Sequence, residues 1–218
     1  MKMKMNLFKA AAICSLVLLI AMAGNSSAAL IYESATMGAP GQTIWGHMVL
    51  GHTQFGGVRF ELTSPMQVDA IGGHFATYYP GGSNNLFGAL ISLTGETDVP
   101  DSSNLSTTDV LRTVAFDPTG TSSDHIIDID PVLLSPGWYA VVFGAGLHGA
   151  VAGSDNAALL NNSPAGSPKY LTWTSSGWSF ASSTWPRYTV YGEVPEPGMV
   201  CLLGLGGLRL LRRRKRRA

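Results

Sequence analysis

Three groups of side chains in this sequence have types and spacing that could do chemistry. Asp124, Asp128 and Asp130 form its densest acidic cluster. In an extended strand Asp128 and Asp130 point to one face, and oxygen ligands are what calcium takes. The competing reading is a solvated strand edge that ends at Pro131, and it carries the greater weight. The second group is aromatic. Tyr79 follows Tyr78 and precedes the loop at Pro80, while Trp173 and Trp178 cluster late in the chain with Trp185. Exposed flat rings can stack on sugar rings. The plainer alternative is that they pack into or over a core, where such rings usually go. The third group is the tetrapeptide Val194-Pro195-Glu196-Pro197. Its two prolines hold the backbone extended and remove two N–H donors, which leaves the segment open to a processing enzyme.

Other chemistry finds less support. His47, His52, His74, His125 and His148 are scattered. His47 and His52 lie on opposite faces of any continuous strand, so a shared metal would need a bend at Gly51. No HExxH, GxSxG, P-loop or dinucleotide fingerprint is present. Paired carboxylates across a cleft would serve a glycosidase, but many acidic pairs could meet that requirement.

The residues C-terminal to the tetrapeptide define its role. Gly198, Met199, Val200, Leu202, Leu203, Leu205, Leu208, Leu210 and Leu211 make up an apolar run that can enter a bilayer. Arg212, Arg213, Arg214, Lys215, Arg216 and Arg217 resist crossing and mark the cytoplasmic side. As a helix the run spans roughly 20 Å, short of the ~30 Å hydrocarbon core, which suits a transient hold more than a permanent anchor. Proline motif, apolar segment and basic stop, in that order, resemble the PEP-CTERM sorting signal of exported bacterial proteins. The resemblance covers about a tenth of the chain. It implies that an exosortase, an integral-membrane transpeptidase, recognises the tail. It also implies transient residence in the inner membrane, a final place at the cell envelope or in the extracellular matrix, and a bacterium that makes exopolysaccharide.

The N-terminal end has the layout of a secretory signal. Lys2, Lys4 and Lys9 are its positive region, and residues 10–23 are apolar. Ser26 and Ala28 occupy the two positions that signal peptidase reads, with cleavage after Ala28. The chain thus divides into a signal over 1–28, a working domain over 29–193 and a sorting tail over 194–218.

The formal net charge of zero conceals an asymmetry. Between the two tails the cations are Arg59, Arg112, Lys169 and Arg187, while nearly all the carboxylates lie there. An acidic body argues against nucleic acid, which needs clustered Lys and Arg. Cys14 and Cys201 both fall in the tails. The body therefore excludes thiolate zinc and cysteine catalysis, and its stability must come from a core.

The elements that must position these groups read as short strands. Candidates are Ala29–Thr36, Thr43–Leu50, Gly57–Leu62, Gln67–Thr77, Leu86–Thr94, Val110–Phe116, Ile126–Ile129, Trp138–Phe143, Tyr170–Thr174, Trp178–Phe180 and Arg187–Val194. The one helical turn that the pattern of the body allows lies near 156–161. Ser135-Pro136-Gly137-Trp138 suits a type II turn. Tyr139 to Phe143 is apolar on both faces, as a central strand would be. The expectation is an all-β antiparallel sandwich, jelly-roll-like, flanked by a signal helix and a short C-terminal apolar helix. Its expected role is a non-enzymatic structural or adhesive one at the cell surface. The alternatives are a carbohydrate-binding module for exopolysaccharide and, behind that, a secreted hydrolase. No resident cofactor is expected beyond the calcium weighed above.

Overall fold

Runs of Val, Ile, Thr and aromatic residues interrupted by Gly, Pro, Ser and Asn favour extended backbone throughout the body. The computed structural model describes residues 28–36, 47–77, 85–118, 121–152, 156–159, 163–181 and 186–195. Every regular element among them is a strand. They are β1 (Ala29–Glu33), β2 (Ala35–Thr36), β3 (His47–Leu50), β4 (Gln54–Leu62), β5 (Met66–Thr77), β6 (Leu86–Leu93), β7 (Val110–Phe116), β8 (Ser123–Leu134), β9 (Gly137–Gly144), β10 (Asn156–Leu159), β11 (Ser163–Pro164), β12 (Lys169–Thr174), β13 (Gly177–Phe180) and β14 (Tyr188–Glu193). Ser26, Tyr79 and everything from Glu196 onward, with both expected flanking helices, lie outside the described residues.

Every pairing among these strands is antiparallel. One sheet runs β1-β14-β5-β8, with β10 and β3 continuing the β14 side of β5 beyond the end of β14. The other runs β13-β12-β4-β9-β6-β7. β2 and β11 form a separate ribbon. The long-range pairs are nested in sequence. β6 pairs β7, β5 pairs β8, β4 pairs β9, and β1 pairs β14. Each pair encloses the one before, and the first strand meets the last.

The two sheets share one core. Val58 and Phe60 of β4, Ile71 and Phe75 of β5, Leu86 and Leu90 of β6, Val141 and Phe143 of β9, and Tyr188 and Val190 of β14 are buried together. Phe143 stacks on Tyr188 from the opposite sheet, at 5.4 Å and 11°. Space for that ring comes from Gly88, where a Cβ would stand 2.9 Å from both Ile71 and Phe143. Complete burial of such rings stabilises by about 1.5–3 kcal/mol each.

Several elements differ from the expectation, each for a local reason. The first strand breaks at Ser34, whose hydroxyl donates to the Pro186 carbonyl (2.8 Å) and accepts from the Tyr188 N–H (2.8 Å). β8 is far longer than Ile126–Ile129 and runs through Pro131. It tolerates that proline because among the described residues it pairs with β5 alone, and the register with β5 shifts nearby. Asn156–Leu159 is a strand, not a helical turn, because it pairs with both β3 and β5. Gly137 has φ 158°, close to fully extended and far from the roughly +80° of a type II turn. Where the sequence leaves open which of Trp138 and Tyr139 points inward, Tyr139 enters the core, and its hydroxyl donates to the Ser135 carbonyl at 2.8 Å.

Arg187 closes the nest. It is 7% exposed at the foot of β14 and ion-pairs with Glu33 from the end of β1 and Asp124 from β8 (Nε to Oδ2, 2.9 Å). It also donates to the Ala35 carbonyl. Removing one partner of a buried pair strands the charge on the others and costs roughly 3–5 kcal/mol, less where the carboxylates keep some water. Arg187→Met should therefore lower unfolding stability by about 2–3 kcal/mol in urea titration. A loss under about 1 kcal/mol would show that the triad does not hold the fold closed.

Candidate functional site

A β-sheet has two faces, and the second sheet buries both. Its inner face meets the core just described. On its outer face Phe55, Phe87, Ala89, Ile91, Ala140, Val142 and Leu171 form a second cluster, joined by Leu105 and Ala150 from loops. β4 can lie this close to its neighbours because position 57 is glycine; a Cβ there would collide with the Val141 carbonyl. Two non-glycine residues with positive φ belong to these covering loops, Leu105 at 48° and His148 at 51°. A left-handed backbone at a bulky residue costs about 1–3 kcal/mol and persists where surrounding contacts over-determine it. Leu105 is 1% exposed within the cluster, and the His148 ring meets Phe87 edge-on at 5.5 Å.

Trp173 and Trp178 sit on this face. Trp173 stacks on Phe55 at 4.6 Å and 20°. Trp178 faces Trp173 across the β12–β13 pair and donates its indole N–H to the Ser102 carbonyl at 3.2 Å. Both rings are half-buried. They are struts of the outer cluster rather than free platforms, so the structure favours the packing alternative for these two residues. The more exposed ring is Phe180, at 55%.

Phe180 lies over a cation. The Arg59 Cζ is 4.2 Å from its ring centroid. Alternation along β4 correctly predicts that Arg59 points away from the core, but not that it is 5% exposed there. Its Nε and Nη1 are buried with no hydrogen-bond acceptor among the described residues. Burial pulls its pKa below the usual arginine value, against the opposing influence of Glu96 and Asp98. Those two carboxylates are engaged elsewhere. Glu96 ion-pairs with Lys169 at 2.8 Å. Asp98 accepts from the Thr94 hydroxyl (2.6 Å), the Thr94 N–H (2.7 Å) and the Val99 N–H (2.9 Å), and these bonds hold its pKa down. Arg59 and Lys169 are cross-strand partners, so the two cations stand side by side on one face.

The acidic trio does not converge. Asp124 ion-pairs with Arg187, which occupies one of the three carboxylates weighed for calcium. Asp128 and Asp130 are exposed and share the outward face of β8, as the strand period requires. Asp128 instead acts on Asp69, a residue at the bulge of β5. The pKa of Asp69 is raised first by burial, then by Glu193 and Asp128. Among the described residues no three His, Cys, Asp or Glu side chains gather as a metal site would need. His74 and His125 are close enough across the β5–β8 pair to interact, and His148 is remote from them. His74 is buried on β5, His125 faces Phe75 and Phe116, and His148 lies on the far side of the second sheet.

No protein-family model matches the chain, and no curated protein matches it.

Burial lowers the pKa of both His125 and His148. Below about pH 6.5 the unfolded chain takes up protons that these folded rings resist. Stability should therefore fall as the pH drops through that value. The melting temperature is expected to decline between about pH 7 and 5, and a His125→Gln, His148→Asn pair should flatten the decline. An unchanged slope in the double variant would assign the acid sensitivity elsewhere.

Proposed function

We propose that this protein is exported, held briefly at the membrane by its tail, processed there by an exosortase-type transpeptidase, and displayed as a non-enzymatic surface or matrix protein. The observation that carries the reading is the coincidence between strand boundaries and tail boundaries. β1 begins at Ala29, one residue past the expected cleavage point, and β14 ends at Glu193, one residue before Val194. Ala29 pairs with Gly192, so the two junctions lie side by side at one end of the first sheet. Val194 is 58% exposed. Both tails can thus be cut without breaking a strand pair, and a single extended stalk would carry the domain.

The nested strand pairs support a jelly-roll reading of the sandwich. The eight principal strands form sheets β1-β14-β5-β8 and β4-β9-β6-β7, with the β12–β13 hairpin added to the edge at β4. This is a closed, acidic, thiol-free unit that suits exposure outside the cell. Saccharide binding is the second reading, favoured by the cation and exposed ring at Arg59 and Phe180.

Replacing Pro195, Glu196 and Pro197 together with alanine should leave the protein unprocessed in the membrane fraction, whereas the natural sequence is processed and released from it. Processing of the triple variant at the natural rate would count against exosortase recognition.

A further inference from the structure

The guanidinium of Arg59 presents an unusual combination. It is 5% exposed, two of its nitrogens have no acceptor among the described residues, and the nearest carboxylates are bonded to other groups. Leaving a buried donor unpaired costs about 1–3 kcal/mol, more for a charge. A sandwich could fill this outward position with an aliphatic residue, as it does at the neighbouring Ala140 and Leu171. The third nitrogen, Nη2, is not among the buried unpartnered atoms. Phe180 covers one face of the guanidinium and turns its own other face toward solvent.

We propose that Arg59 and Phe180 form a binding site for an acidic polysaccharide, with a sugar carboxylate on the Arg59 guanidinium and a sugar ring on the exposed face of Phe180. Charge favours a singly charged carboxylate over a phosphate. Arg59 and Lys169 are already balanced locally by Glu96 and Asp98, so a single negative charge leaves a smaller local excess than a dianion would. Geometry favours a polymer over a single sugar. The ring surface and the guanidinium edge lie in different layers, and successive residues of one chain can reach both. Nη2, the guanidinium nitrogen outside the buried set, gives a carboxylate a charge-assisted hydrogen bond, and an aromatic face gives a pyranose an apolar floor. Lys169, in register with Arg59 and 44% exposed, adds a second positive charge at the rim. The inference deepens the saccharide reading and rests on it, but not on the sorting itinerary.

The test uses the processed protein, polygalacturonate as the acidic probe and dextran as the neutral one, with affinity electrophoresis and calorimetry. Polygalacturonate should retard the protein and dextran should not. Arg59→Met should weaken binding by at least about tenfold while leaving the melting temperature unchanged or higher, because an unpaired buried charge is removed. Phe180→Ala, at an exposed position that cannot unfold the domain, should weaken it by about threefold or more. Undiminished binding by a folded Arg59→Met or by Phe180→Ala would overturn the proposal. Equal retention on dextran would overturn it while leaving saccharide binding standing, and binding to neither polymer would remove both. Sulfate or phosphate that displaces the polymer far better than chloride of equal ionic strength would identify a site for small inorganic anions and likewise overturn it.

Discussion

Arg187, the residue just before β14, ties together β1 through Glu33, β2 through Ala35 and β8 through Asp124. In a nested arrangement the outermost pair, β1 with β14, is formed by the residues with the longest loop between them, and its closure entropy is the largest. Ser34 bonding to Pro186 and Tyr188 adds to the same junction. With that seam shut, the inner pairs are enclosed, Tyr188 is driven against Phe143, and both chain junctions emerge together. The tail arrangement proposed for this protein depends on that seam.

Burial on both faces of the second sheet has a different consequence. It makes the sheet a middle layer between the main core and a smaller outer one, roofed by loops that hold Leu105 and His148 in a left-handed backbone. Strain of this kind is tolerated because packing around it is dense. Arg59 brings a charge into that layer, and its Nε and Nη1 are buried without an acceptor among the described residues, as are His148 Nε2 and Trp173 Nε1 without a partner. A fold under selection for stability alone would have little reason to keep an arginine there, and that contrast directs attention to this face rather than to the acidic trio.

Much of the fold is legible in the sequence because period-two patterning carries through where one face is buried. Val58, Phe60 and Leu62 enter the core as their alternation implies, and Val110–Phe116 is a strand with the expected limits. β9 lies between β4 and β6, as its two apolar faces require. The features that the sequence conceals are mostly tertiary. The break at Ser34 needs Tyr188 and Pro186 opposite it, and β10 needs β3 and β5 on its flanks. The outer cluster is partly visible, since Ala89, Ile91, Ala140 and Val142 alternate with core residues and so signal a second buried face. The site at Arg59 is not visible, because alternation gives a direction and not the cover supplied by Phe180. Asp124 escapes a sequence reading for a similar reason, since proximity along the chain to Asp128 says nothing about Arg187.

The proposed itinerary treats the two ends as removable and the strands between them as the working product. Measuring the intact mass of the protein recovered from the surface of the cells that make it addresses this most directly. The account predicts a chain that starts at Ala29 and stops near Pro195, without the basic terminus. A mass corresponding to all 218 residues would contradict it.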